Sequence, residues 1–184
     1  MPEIPTGNAL LDAPGLLEWA GLDYGMTVAD LGCGTLGHFT FPAAHMVGPE
    51  GKVYAVDILQ TALTAIKSRI GVEQVENVEM VWGDMEVAGG IRIPDASVHF
   101  AVMVNVTSLL TKGSTTIKEI KRILKPGARI LAVDWRPEAK GFGPDPAKRH
   151  QAMEIAGVFT DFGFIVKKEF DAGPSHWGLI VEKP

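Results

Sequence analysis

Apolar positions follow two rhythms along this chain. Short, mostly apolar runs occur at residues 26–31 (MTVADL), 52–56 (KVYAV), 78–82 (VEMVW), 97–104 (SVHFAVMV) and 129–135 (RILAVDW). Each stops at a glycine or a polar residue and reads as a strand, the first two as buried strands of the parallel type. Between them the apolar residues fall three or four apart. Leu63, Ile66 and Ile70 mark one stretch, and Ile117, Ile120, Ile123 and Leu124 another. That spacing predicts helices with one buried face. Helices are therefore expected over residues 38–47, with Pro42 in the first turn where a missing N–H does little harm, and over about 59–70. A third carries Lys121, Arg122 and Lys125 at its C-terminal end, where cations suit the dipole, and stops at Pro126-Gly127. A last helix is expected over about 147–162, after a Gly- and Pro-rich loop at 136–146. Residues 8–21, with Leu10, Leu11, Leu16, Leu17 and Trp19 around Pro14, predict an N-terminal helical region.

The rhythm changes at the end of the chain. Residues 164–170 and 177–182 read as strands joined by DAGPS at 171–175, too short for a helical crossover, so they must pair antiparallel. The expected fold is α/β: a doubly wound, mostly parallel seven-stranded sheet with a C-terminal antiparallel hairpin. Such sheets bind ligands beyond the carboxyl ends of their strands, where the strand order reverses.

Composition narrows the picture. The chain has 184 residues, 46% hydrophobic and 21% charged, enough for one domain with a real core. The expected division is an N-terminal helical segment at 1–24, a core at 25–135, and a loop, helix and hairpin at 136–184. No apolar run approaches the roughly 18–20 residues of a membrane span, and the first residues lack a signal-peptide layout. Cys33 is the single cysteine, which excludes an intrachain disulfide and a cysteine-based metal site. A cytoplasmic protein without a metal is the expectation. A net charge of −5 argues mildly against a surface built to grip nucleic acid.

Candidate chemistry begins at VADLGCGTLGHFT, where Gly32, Gly34 and Gly37 have the G-x-G-x-x-G spacing of a dinucleotide turn. Acids then close three consecutive strands: Asp30 beside the loop, Asp57 about 20 residues on, where a carboxylate can accept from ribose hydroxyls, and Asp84, which can accept from a purine amine. Together they point to a nucleoside site.

On these residues the sequence resembles the class I S-adenosylmethionine-dependent methyltransferases, of the small single-domain bacterial and archaeal type, over nearly its whole length. GMTVADLGCGTLGHFT resembles their first motif, KVYAVDI their ribose-binding strand and WGDM their adenine-contacting segment. IPDASVHFAVMVN through IKRILKPGARILAVDW resembles the fourth strand, the following helix and the fifth strand, and the final hairpin resembles their antiparallel last strand. The family loop usually runs G-x-G-x-G, whereas here Leu36 holds the third glycine's place and Gly37 follows.

The resemblance implies S-adenosyl-L-methionine as cofactor and S-adenosyl-L-homocysteine as product. It implies that Asp30, Gly32, Cys33, Gly34 and Gly37 shape the methionine end, that Asp57 and Ile58 meet the ribose and adenine, and that Asp84 and Met85 meet the adenine edge. Asn105 would face the reaction centre or simply end its strand. If the acceptor must lose a proton, the candidate bases are His176, Asp134, His150 and His38. Asp134 and Trp135 should border the acceptor pocket, with Arg136 and the GFGPDP loop as a candidate cover. A small-molecule acceptor is expected, since no cap or recognition domain is evident. VNVTSLL after the fourth strand lacks the Asn-Pro-Pro-Tyr type of sequence used for amino groups of bases, and one cysteine suits arsenite poorly. RNA or protein stands as a second acceptor class, on the cluster Lys118, Lys121, Arg122, Lys125 and Arg129. The same glycine loop would also suit a nicotinamide-dependent oxidoreductase, or a module that binds the cofactor without catalysis.

Overall fold

All five apolar runs become neighbouring parallel strands; the third, at residues 78–82, forms the sheet edge with only Val81 buried. The computed structural model describes residues 10–141 and 143–184. Its strands are β1 (Thr27–Leu31), β2 (Lys52–Asp57), β3 (Val78–Trp82), β4 (Val98–Val104), β5 (Leu124–Trp135), β6 (Ile165–Gly173) and β7 (His176–Glu182). The helices are α1 (Ala13–Trp19), α2 (Thr40–Val47), α3 (Gln60–Glu73), α4 (Ser114–Ile123) and α5 (Ala152–Asp161). The sheet order is β3-β2-β1-β4-β5-β7-β6. The first five strands pair parallel, and β7 runs antiparallel to both β5 and β6.

Alternation along each strand divides the core between two faces. Leu31, Met103 and Ile130 pack with Ile117, Ile120 and Ile123 of α4 and with Ile155 and Phe159 of α5. On the other face Val28, Phe100 and Leu131 pack with Leu17 of α1, Phe41 and Val47 of α2, and Ile66 of α3. Each fully buried large side chain contributes about 1.5–3 kcal/mol of transfer free energy. Asp30, two positions from Val28, shares the second face and is thereby aimed at α2.

Several element ends differ from expectation, each for a local reason. Residues 8–9 of the expected N-terminal helix lie outside the described residues. The part described, α1, starts after Asp12, whose carboxylate accepts from Gly15 N at 3.2 Å. The helix expected from residue 38 begins at Thr40 because His38 and Phe39 still belong to the glycine loop. The stripe ending in Leu124 stops as helix at Ile123. Leu124 is extended, and Lys125 precedes Pro126, a position held out of the helical region. Strand β5 therefore begins early and crosses Pro126-Gly127 with a shifted register, Val98 facing Leu124 and Phe100 facing Arg129. The last expected helix divides into a 3-10 turn (Pro146–Lys148) and α5. Between them Arg149 is extended, its guanidinium donating to the carbonyls of Arg136, Ala139 and Pro144. No described helix is long and apolar enough to cross a membrane.

Candidate functional site

Strand order reverses between β1 and β4, so the chain leaving each strand borders one crevice. The three loop glycines meet different needs there. A Cβ on Gly32 would come within 2.6 Å of Val106 Cγ1, so this glycine lets the loop lie against the chain leaving β4. A Cβ on Gly37 would come within 2.6 Å of Ile66 Cδ1 and 2.8 Å of the Phe41 ring, a packing requirement of α2 and α3. Gly34, at φ +63°, faces open space with nothing within 4 Å. Leu36 is 65% exposed, and its carbonyl accepts from Arg69. The displaced third glycine is thus fixed by helix packing, with Leu36 turned outward at the mouth of the crevice.

The acids take distinct positions. Asp57 Oδ2 accepts from Gly34 N at 3.0 Å and Oδ1 from Leu59 N at 2.9 Å, so this carboxylate ties the end of β2 to the glycine loop. Ile58 beside it is 51% exposed, and its carbonyl accepts from the Trp82 indole at 2.9 Å. Asp84, half-buried past the end of β3, accepts from Glu86 N at 2.8 Å; Met85 is buried. Asp30 is 3% exposed and accepts from Thr40 Oγ1 at 2.5 Å, at the first turn of α2. Burial, with a smaller push from the Asp57 charge, raises its pKa from 3.8 to about 6. Cys33 is buried and its thiol is held protonated, chiefly by desolvation.

On the far wall, Asn105 leaves β4 at φ +59°, a left-handed conformation that asparagine tolerates better than most residues, with its N–H on the Val133 carbonyl at 2.9 Å. Asp134 reaches this rim but is fully engaged. Its Oδ2 accepts from Thr107 N (3.0 Å) and Thr107 Oγ1 (2.6 Å), and its Oδ1 from Trp135 N (2.7 Å). It anchors a 3-10 turn (Thr107–Lys112) that the sequence pattern did not indicate. Trp135 and His176 are cross-strand partners in the β5–β7 register, with ring centroids 4.2 Å apart. The His176 ring is 1% exposed, and neither of its nitrogens has a hydrogen-bond partner among the described residues. Burial lowers its pKa from 6.5 to about 4; Asp134 raises it slightly, while Arg136 and Arg149 lower it further.

Asp30, Gly32, Cys33, Asn105, Trp135 and His176 share the lining of one cavity of about 270 Å³. His38 also lines it, bonded through Nε2 to the Leu11 carbonyl at 2.9 Å. His150 does not; it pairs with Glu154 through Nδ1 at 2.8 Å. Gly143 of the 136–149 loop lies on the Trp135 indole, where a Cβ would come within 2.9 Å of the ring. Thr40 and Val106, which seat Asp30 and Gly32, carry no signal in the sequence pattern beyond the closeness of Thr40 to the first helical turn after the loop. A larger, open hollow of about 1120 Å³ lies at the amino ends of β2 and β3, among residues 48–52 and 74–80, and includes none of these residues.

The expected basic cluster is largely tied into the fold. Lys121 donates to the Phe162 carbonyl, and Arg122 to Glu119, Asp95 and the carbonyls of Ile91 and Ile93. Lys125 meets His99, and Arg129 faces Glu182.

Residues 22–161 match a family model described as a methyltransferase domain. The chain belongs to this family. Its sheet is accordingly the Rossmann-like fold of methyltransferases, completed by the antiparallel hairpin. A SAM-dependent methyltransferase structure from Aquifex aeolicus superposes on this methyltransferase domain with a TM-score of 0.89 at 28% identity, covering 98% of this chain and 94% of that one. The demethylmenaquinone methyltransferase of Lactococcus lactis subsp. lactis is 32% identical over 112 residues, 60% of this chain and 42% of that protein. The arsenite methyltransferase of Halobacterium salinarum is 31% identical over 116 residues, 63% of this chain and 29% of that protein. The chain thus spans less than half the length of these two relatives.

Proposed function

We propose that this chain transfers the methyl group of S-adenosylmethionine to a small molecule held in the cavity between the glycine loop and the start of β7. The observation that carries the reading is the pairing of Gly34 with Asp57. Open space at a glycine lies directly beside a strand-end carboxylate, and Gly32 and Cys33 of the same loop line the cavity. These residues fit the cofactor. Asp57 retains acceptor capacity for the ribose hydroxyls, Ile58 offers an apolar surface to the adenine, and Asp84 and Met85 stand where its edge would fall. Asp30, Gly32, Cys33 and Gly34 shape the methionine end, Gly37 supports the loop by letting α2 and α3 pack against it, and Asn105 borders the reaction centre. The cofactor supplies an activated methyl group. The work left to the protein is to align acceptor and methyl, and to exclude water.

Two observations favour a small acceptor. The cavity lies just below the usual ligand-pocket range of roughly 300–1,000 Å³. Most of the basic residues that would suit RNA are held by internal partners. The quinone- and arsenite-acting relatives both take small substrates by name, and a single cysteine gives arsenite no multi-thiol site within this chain.

The test is calorimetric titration with S-adenosylhomocysteine and, separately, NAD. The wild type should bind the first and not the second. Asp57→Asn should weaken S-adenosylhomocysteine about tenfold or more while keeping its circular dichroism spectrum, since a hydrogen bond to a charged group contributes about 1.5–3 kcal/mol. Binding of NAD alone, or unchanged affinity in Asp57→Asn, would reject the assignment.

A further inference from the structure

We propose that His176 recognises the methyl acceptor, and that the acceptor is an uncharged molecule presenting a hydroxyl group to this imidazole. The proposal rests on the methyltransferase function proposed for the cavity and adds the chemical class of the acceptor.

The topology places His176. Strand β7 runs against β5, so its first residue, and not its last, lies at the carboxyl ends of the parallel strands. His176 therefore stands opposite Trp135 and lines the cavity that Asp30 and Asn105 also line. A buried polar ring without a partner costs free energy, and native proteins rarely leave one so without a ligand or water to satisfy it. The charged groups nearest His176 are all directed elsewhere. Asp134 is held by Thr107 and the Trp135 N–H. Arg136 bonds the His176 carbonyl and Asp171, and Arg149 bonds the carbonyls of its own loop.

The imidazole and the cavity wall together define what fits. A neutral imidazole offers one donor and one acceptor, and a hydroxyl group is the smallest group that can answer either. Burial holds the ring neutral at physiological pH, so it presents no cation to an anion. Among the described lining residues there is no lysine or arginine, and Asp30 is the one carboxylate. A carboxylate or phosphate acceptor would meet no cationic side chain among these residues, so the protein would leave its desolvation uncompensated. Leu11, Phe39, Val104 and Trp135 supply apolar walls suited to a flat ring. Gly143 lying against the indole keeps Trp135, and with it the His176 ring, in place.

The experiment uses protein saturated with S-adenosylhomocysteine, titrated with phenol and with benzoate as its charged counterpart. Binding is read by calorimetry and by the ¹⁵N signals of the histidine rings. Phenol should bind at least tenfold more tightly than benzoate and shift the His176 signals. His176→Phe should lose at least tenfold in phenol affinity with S-adenosylhomocysteine affinity unchanged within twofold, and His176→Gln should recover part of the loss. Equal or tighter binding of benzoate, no phenol binding to the loaded protein, or full phenol affinity in His176→Phe would overturn the proposal. If His176→Phe does not fold, the wild-type signals decide: no shift at saturating phenol overturns it. Failure of S-adenosylhomocysteine to bind the wild type would instead overturn the methyltransferase function on which this proposal rests.

Discussion

Asp30 is a charge the fold keeps at a cost, and Asp30→Asn measures that cost. The carboxyl is almost fully buried, and desolvation raises its pKa from 3.8 to about 6. Between about pH 4 and pH 6 the native state holds a proton here that the unfolded chain has released, so stability falls as pH rises through that window. A shift of about two units at 1.36 kcal/mol per unit sets the cost near 3 kcal/mol at pH 7. Asparagine preserves the shape and an oxygen for Thr40 Oγ1, now 2.5 Å away, and removes the charge. The unliganded variant should therefore be more stable than the wild type by about 2–3 kcal/mol at pH 7, and the gap should close towards pH 4. His176 has the opposite slope. Its folded pKa is depressed from 6.5 to about 4, so the unfolded chain takes up the proton first and stability falls as pH drops through that range. The two slopes oppose each other in the wild-type profile, which leaves the variant-minus-wild-type difference as the informative quantity. Urea denaturation followed by circular dichroism at about pH 4.5 and about pH 7, at fixed ionic strength, supplies it. A variant no more stable at neutral pH, or a gap of the same size at both values, would refute the reasoning. Weaker S-adenosylhomocysteine binding in the stabilised variant would mark the charge as retained for function.

The glycine loop yields a matched pair of further predictions. Gly37→Ala should cost about 1–3 kcal/mol in urea denaturation, because its Cβ meets Ile66 and Phe41 at a positive φ. Gly34→Ala should cost only about 1 kcal/mol, for its left-handed backbone, yet weaken S-adenosylhomocysteine at least tenfold by filling the open space. Leu36→Gly, which creates the commoner G-x-G-x-G spacing, should leave that affinity unchanged within about twofold and lower stability by less than about 1 kcal/mol, since Leu36 is exposed.

What could be read from the sequence follows from how local each feature is. Strands β1, β2, β4 and β5 were legible because burial on both faces makes continuous apolar runs, and the edge strand β3 from its apolar residues although only Val81 is buried there. Asp57 was legible because it directly follows such a run, and Asp84 because only Gly83 separates it from one. Helix ends were less so. Pro126 acts backwards on Leu124 and Lys125, and Arg149 interrupts a helical pattern through carbonyls contributed by residues 136–144, neither of which periodicity can register. The cluster at Lys121, Arg122, Lys125 and Arg129 misled for a related reason: sequence displays charges and conceals their partners.

The acceptor side of the cavity depends on one fact of register. Residues 30, 105, 135 and 176 meet because Trp135 faces His176 across β5 and β7. In a parallel sheet the search for ligand groups runs to the carboxyl end of each strand and the first residues past it, and Asp57, Asp84 and Asn105 were found that way. On an antiparallel strand the same end of the sheet is reached by the first residue. The hairpin that separates this fold from a nicotinamide-type sheet thus also delivers a histidine, 146 positions beyond Asp30, to the wall of the same cavity. That the imidazole arrives buried and unpartnered makes the hairpin a contributor to the site as well as to the fold.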